Sequence, residues 1–518
     1  MPITSYSPSS ERAQPAASTS WAGLVTPYGR SFSSARVCLF LAAVLAVIRA
    51  AIHLRANWIS DSGVDHPAGV MIAMAVDLTH GLFYRPLFGP EGYGGTRYFP
   101  LYFVLHALLL KVGVPVLLGA YLLSLAAMAF LIVGVFCLLE RMGVERWLAA
   151  ACAGTLLTSV SAQYAVISPH ADALAGALNI WGLLIIVGPK CSSRRSLLAA
   201  TLFALAWSAK LTSCFGLIAA ILWLINVGLR RRALQLAART AVGYLLVAAA
   251  IFIFSHGRVV DIFKACAFGG TGWKRFLGGP FYMEWNAFHS DLNVFLLVFF
   301  VVIALGVELL ESPTKCLKDL AALLFVATTI ITVAIYGSPG TNLNHLLDIQ
   351  IASVVVLGCL TTRPSLMQRQ LGIYALVLAT LIPLGRGGGA VLKEPAGPVF
   401  TTNGSRLKRV IGLVEKSDKP VLSENPIIPV LTGKSPYVLD PWMLSLLRKR
   451  IPYFGDALMQ QLRNRAFGVV VLFEDPETDY GRHWYDTQHF GPGFRETLKE
   501  NYRLLSVTDD QFVYVPIN

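Results

Sequence analysis

Residues 114–139 read VPVLLGAYLLSLAAMAFLIVGVFCLL, 26 positions without one charged side chain. A helix rises about 1.5 Å per residue, so about 20 apolar residues cross the roughly 30 Å of bilayer hydrocarbon. This stretch is long enough to span. Read by the same rule, the chain offers further spans near 37–54, 147–166, 172–188, 197–210, 212–228, 241–255, 291–310, 319–336, 348–361 and 371–385, eleven with the first. The expected fold class is therefore membrane all-α, a multi-span helical bundle. The apolar run 98–111 is short and carries Pro100 and Lys111, which suits a helix lying along the membrane surface.

Composition agrees with that reading. Of 518 residues, 55% are hydrophobic and 14% charged, against roughly 25% charged in a soluble domain. A soluble enzyme is excluded. The net charge is +13, but from Thr401 onward there are 15 basic and 14 acidic side chains, so +12 of it lies between apolar stretches in the first 400 residues. Nucleic-acid binding needs such charge gathered on a soluble face, and here it is not. The eight cysteines all lie at or before Cys359, nearly all in or beside apolar runs, and show no CxxC pattern; neither a disulfide scaffold nor a metal site follows from them.

Short cytoplasmic loops carry an excess of Lys and Arg. With eleven spans, Arg36, Arg141, Arg146, Lys190, Arg194, Arg195, Arg230–Arg232, Arg239, Lys315, Lys318, Arg363 and Arg369 all fall on one side. The chain then divides into a disordered cytoplasmic tail (1–36), a transmembrane catalytic domain (37–390) with a long first outer loop (55–113), and an extracytoplasmic α/β domain (391–518). In the last part, 419–424, 437–440 and 467–473 read as short buried strands and 456–466 and 494–502 as helices. Its balanced charge suggests independent folding. The glycines 387–389 read as a linker.

Polar residues from separate loops share the outer face: Asp61, Asp65, His66, Asp77 and His80 in the first loop, His170 and Asp172 in the second, then Lys210, Glu284, His345 and Asp348. The apolar spans hold few ionisable groups at mid-depth, where a transporter usually keeps them, which favours surface chemistry. Asp61 and Asp65, four apart just after the first span, suit proton removal from a hydroxyl; the plain alternative is a cap for the helix beginning near Pro67. That helix, 67–80, places Val70, Met71, Met74 and Leu78 on one face, as an interfacial surface helix would. Asp77 reads as its polar face. Arg97 and Tyr98, in GYGGTRYFPL (92–101), suit an anionic head group, since Arg can grip phosphate oxygens in pairs; a snorkelling Arg in an aromatic belt is the competing account. Trp273, Arg275, Tyr282 and Trp285 in the loop 256–290 are candidates to stack on a sugar or cover the site.

These residues resemble the first loop of the GT-C glycosyltransferases, multi-span enzymes that use polyprenyl-phosphate-linked sugars, and within them the protein O-mannosyltransferase and lipid A aminoarabinose transferase group. The family pattern is an acidic residue after the first span, a surface helix ending in glycine, and a basic or aromatic-Pro-Leu segment. Asp61 or Asp65, Gly81 and Arg97-Tyr98-Phe99-Pro100-Leu101 stand at those places. Asp172 matches an acidic residue two spans later, and Lys210 a lysine at an outer helix end. The resemblance covers about 37–230. Where nearer members often show Asp-Glu, this chain has Asp-Ser or Asp-His, so the identity of the base stays open between Asp61 and Asp65.

The resemblance implies an inverting transfer from a polyprenyl-phosphate sugar to a lipid, glycan or protein acceptor at the outer face of a bacterial inner membrane. Asp61 or Asp65 would be the base, Asp172 would orient a substrate, and Arg97, Tyr98, Lys210, His170 and His345 would bind. No cofactor is expected beyond the lipid-linked donor, and no metal is demanded, although paired carboxylates accept one. The rival is a flippase or transporter of a lipid-linked saccharide.

Overall fold

In the computed structural model the described residues are 34–60, 64–90, 92–188, 192–268, 272–338, 340–391, 406–451, 453–508 and 511–517. Asp61 and the 1–33 part of the expected tail lie outside them.

Every apolar stretch read as a span coincides with helix: Ser34–Ser60, Val116–Arg141, Arg146–Thr155 with Val160–Ile167, Asp172–Ile186, Ser193–Ala209, Phe215–Asn226, Arg230–Phe254, Leu292–Glu311, Leu320–Tyr336, Leu346–Leu360 and Leu366–Val391. Their lengths are less uniform than the eleven-span count implies. Among the described residues six helices are long and apolar enough to cross alone, or seven when the pair around Ser159, bent by 74°, counts as one. The bend is a capped break: Ser159 accepts from the Ala162 N–H, and its hydroxyl donates to Gln350 at 2.7 Å. Asp172–Ile186, Phe215–Asn226 and Leu320–Tyr336 are shorter. They supply much of the bundle's buried core, including Leu178, Ile180, Ala219, Leu324 and Ala327. The Leu366–Val391 helix continues through the glycines expected to form a linker.

The first loop folds as two helices, His66–Thr79 and Pro100–Lys111, packed on each other, with a two-stranded turn Phe88–Gly89/Gly92–Tyr93 between them. At 12 residues, Pro100–Lys111 is too short to cross. His66–Thr79 does not lie on a surface. Val70, Met71 and Met74 are buried as expected, but so are Ala68, Ile72, Ala73 and Ala75 on its other sides. The covering layer is the C-terminal unit: a Cβ at Gly69 would collide with the Asn425 side chain, and Asn425 Nδ2 donates to the Val64 carbonyl at 2.9 Å.

That unit holds a four-stranded mixed sheet in the order Val421–Ser423, Val469–Leu472, Gln511–Pro516, Tyr502–Thr508, the first pair parallel and the others antiparallel. Two of the expected strands are there; the closing hairpin 502–516 was not expected. Tyr437–Asp440 forms no strand of this sheet. Val438 instead bridges to Tyr93 of the first loop, and Tyr93 exchanges backbone hydrogen bonds with Tyr437 and Leu439 at 2.8 and 2.9 Å. One apolar core runs through both parts, combining Val70, Ile72 and Phe103 with Val410, Ile427, Val471 and Val513. The loop and the C-terminal unit share this core, which argues against the expected independent folding.

Candidate functional site

Asp65 ends the extended segment before the His66–Thr79 helix and caps it, accepting from the Ala68 N–H at 3.0 Å. The bent span supplies its other partners. Tyr164 donates its hydroxyl to Oδ2, and Ser168 donates to Oδ1 at 2.7 Å. His170 Nε2 stands 3.7 Å from Oδ1, its ring held by a contact of Nδ1 with the Ser168 carbonyl at 2.8 Å. The short helix Val160–Ile167 and the turn after it therefore orient the carboxylate.

Two residues beyond His170 the chain turns into the Asp172–Ile186 helix with Asp172 in its first turn, where the helix dipole favours a negative charge. Lys210, at the C-terminal cap of Ser193–Ala209, points Nζ at Asp172 Oδ1 at 2.7 Å and at Asp348 Oδ2 at 3.0 Å. Asp348 sits in the first turn of Leu346–Leu360. Asn344 donates to both Asp172 oxygens at 3.2 and 3.1 Å, and so fixes the turn Leu343–His345 beside them. Lys210, Asp172 and Asp348 are all buried, with side chains 10, 4 and 2% exposed. Burying three charges is costly unless each is paired, and one ammonium between two carboxylates leaves the trio net negative. The second oxygen of Asp348 and Nδ1 of His345 have no hydrogen-bond partner here.

Arg97 differs from Lys210. It is half-buried and makes no ion pair or hydrogen bond with another described residue; its guanidinium lies over the Trp442 ring, 4.6 Å from the centroid. Burial pushes the neighbouring Tyr98 phenol above its ordinary range, with the Asp440 charge adding to the effect, so it stays a neutral hydroxyl. The Tyr98 carbonyl accepts from Tyr84 at 2.8 Å. Asp77, read as a polar face, instead forms a bidentate pair with Arg85 at 2.6 and 2.7 Å, and Arg85 also donates to the Pro436 carbonyl at 2.6 Å.

Behind His66 the C-terminal unit adds a second buried polar group. His66 Nε2 is 3.4 Å from Asp440 Oδ1, its ring is 5.1 Å from that of His489, and His489 Nδ1 is 2.6 Å from Glu424 Oε1. Glu424 also accepts from the Phe473 N–H at 2.7 Å, the Tyr485 hydroxyl at 2.9 Å and the Trp484 indole. Burial would raise both carboxyls. In Asp440 the adjacent His66 ring outweighs it, with the Met443 N–H adding, and in Glu424 His489 and the donors do, so both lie below their ordinary values. Burial drives His489 down more than Glu424 lifts it.

Of the residues singled out in the sequence, Asp65, His170, Asp172, Lys210 and His345 are thus brought together, with Arg97 and Tyr98 beside them and Arg97 against the Trp442 ring. Asp61 lies outside the described residues. The aromatics of 256–290 make no described contact with the cluster; Trp273 and Trp285 are 73 and 56% exposed. Tyr164, Asp440 and Trp442 were missed, and Asp348 was read only as a polar face residue. Asp348 carried a signal, a lone carboxylate two positions into an apolar span; Asp440 had one in Leu-Asp-Pro, a helix-start pattern. Among the described residues no group of three His, Cys, Asp or Glu is arranged to hold a metal ion.

No family model and no curated protein matches the sequence. Solved structures do match in fold. The apo oligosaccharyltransferase of Archaeoglobus fulgidus superposes with a TM-score of 0.55 at 9% identity, over 90% of this chain and 72% of that one. The same organism's AglB, in complex with an inhibitory peptide and a dolichol-phosphate, gives 0.55 at 11%, over 93% and 74%. ArnT from Cupriavidus metallidurans, bound to undecaprenyl phosphate, gives 0.54 at 12%, over 92% and 98%. The chain is a multi-span helical protein with a small C-terminal mixed sheet, and it shares its fold with these solved oligosaccharyltransferase and ArnT structures.

Proposed function

We propose that this protein is an inverting membrane glycosyltransferase that moves a sugar from a polyprenyl-phosphate donor to an acceptor hydroxyl on the outer, periplasmic face of a bacterial plasma membrane. The observation that carries the reading is the convergence of Asp65, His170, Asp172, Lys210 and His345, from four separate segments, on one polar cluster at the same helix ends. The shared fold with proteins solved bound to undecaprenyl phosphate and dolichol-phosphate supports the choice of donor.

In the proposed step a carboxylate takes the acceptor proton, the acceptor oxygen forms its bond to the anomeric carbon, and the bond from that carbon to the phosphate oxygen breaks. The electron pair leaves on the lipid phosphate. Asp61 is our first choice of base. Both Asp65 oxygens already accept from Tyr164, Ser168 and Ala68, which favours Asp65 as second choice and as the anchor of the first loop. Arg97, which makes no ion pair with a described residue and lies over the Trp442 ring, is the cation offered to the departing phosphate. Lys210, committed to two carboxylates, sets the position of Asp172, which orients the substrate, while Tyr98, His170 and His345 supply hydrogen bonds. A panel of radiolabelled polyprenyl-phosphate sugars, incubated with detergent-purified protein and membrane extract, tests the reading. Label should pass from one donor to an extractable acceptor; a panel in which every donor keeps its label refutes it.

A further inference from the structure

A second site lies at the far end of the helix whose C-terminus carries Lys210. Ser193–Ala209 is 17 residues long, about 25 Å at the helical rise, so its first turn stands at the opposite membrane boundary from the charged cluster. There a cavity of about 130 Å³ is lined by Ser193, Ser196, Arg232, Gln235, Leu236 and Arg239. Arg232, Gln235, Leu236 and Arg239 are spaced 0, 3, 4 and 7 along Arg230–Phe254, which puts them on one face, turned to the start of Ser193–Ala209. Arg239 is anchored there, donating to the Ser193 carbonyl at 3.0 Å and to its hydroxyl at 2.8 Å. Arg232 makes no hydrogen bond or ion pair with another described residue.

The cavity joins two guanidinium groups, serine hydroxyls and the N–H groups of a helix start, a combination that selects a phosphate. What lies beneath it selects the carrier. Along the same helix Val242, Leu246 and Ile253, on the side of Gln235 and Arg239, are 55, 67 and 64% exposed. Only 17% of the most apolar 18 residues of this helix is buried in the bundle, so its outer side faces lipid. A phosphate here sits directly above a stripe suited to acyl chains.

We propose that this cavity is a binding site for the head group of an anionic glycerophospholipid, with the phosphodiester held by Arg232 and Arg239 and the acyl chains lying along the Val242–Leu246–Ile253 stripe. The site stands apart from the charged cluster, and its occupancy does not depend on the transfer reaction.

The test uses the full chain in nanodiscs of phosphatidylcholine with a minor fraction of phosphatidylglycerol, scoring retained lipid by native mass spectrometry. Phosphatidylglycerol should be enriched over phosphatidylcholine, and Arg232→Gln with Arg239→Gln should lower the enrichment about 10-fold. Because Arg239 also ties two helices together, Arg232→Glu alone serves as the folding-neutral variant and should lower it as well. Arg231→Gln, a neighbouring cation that does not line the cavity, should leave it unchanged. Glycerol phosphate in solution should fail to displace the lipid. Enrichment that survives Arg232→Glu, or that falls equally with Arg231→Gln, overturns the site; displacement by glycerol phosphate at comparable concentration assigns it to a water-soluble phosphate and overturns the lipid.

Discussion

Lys210 Nζ and Asp348 Oδ2 stand 3.0 Å apart although 138 positions separate them in the chain. With Asp172 on the other side of the ammonium, one lysine compensates two buried carboxylates that enter from different helices. Removing the lysine strands both charges, whereas neutralising one carboxylate leaves a matched pair. Lys210→Met should therefore destabilise by about 3–5 kcal/mol, while Asp348→Asn should cost far less. Melting of the detergent-purified variants checks the order; equal losses contradict the shared-lysine account.

Arg97 is predicted to act on the donor. Arg97→Ala should raise the donor KM or abolish donor binding with little change in melting temperature, because the guanidinium makes no ion pair with a described residue and only covers the Trp442 ring. Arg97→Lys should recover part of the loss, keeping the charge but not the paired geometry. A variant that binds donor normally and melts early would make Arg97 structural.

The shared core predicts that residues 406–518, expressed alone, do not melt cooperatively. Cut away, the fragment loses the part of its core that Val70, Ile72 and Phe103 contribute beside Val410, Ile427 and Val471 in the whole chain. In the full protein, Arg85→Met leaves the partly buried Asp77 without its partner and the Pro436 carbonyl without its donor. It should make the C-terminal unit cleavable by added protease under conditions that leave wild type intact. A sharply melting isolated fragment would contradict this.

Acid should loosen the same junction. His489 lies below its ordinary value of 6.5, so the folded form resists a proton that the unfolded chain takes up. The stability is full above about pH 6.5 and falls as the pH drops through that value. Glu424, held below 4.5, acts in the same direction: its contribution is present above 4.5 and is lost as pH falls through the lower folded value. Melting temperature should drop between pH 7 and 5, and His489→Gln should flatten that part of the profile while leaving the loss below pH 4.5. An unchanged slope in the variant would remove His489 from the effect.

Much of this architecture was readable in the sequence because it rests on local composition. Long apolar runs such as 114–139 declare helices without reference to anything distant. Asp172 and Lys210 were visible because a charge at the end of an apolar run stands out. What could not be read depends on partners far along the chain. The face of His66–Thr79 that meets Asn425 looks no different from one that meets lipid, so the helix was expected at the membrane surface. Tyr437–Asp440 has the composition of a strand, yet it pairs only with Tyr93, some 340 positions earlier. Asp440 and Trp442 were passed over for the same reason, since their neighbours His66 and Arg97 belong to the first loop.

The central claim is that donor is cleaved rather than carried. Purified protein in proteoliposomes, supplied with a polyprenyl-phosphate sugar radiolabelled in the sugar together with an acceptor extract, separates the two by following label and free polyprenyl phosphate together. The account predicts one polyprenyl phosphate released per sugar transferred, with both falling at least about 100-fold in Asp61→Asn. Intact labelled donor appearing in the opposite leaflet, with no release of polyprenyl phosphate, would contradict it and establish the flippase instead.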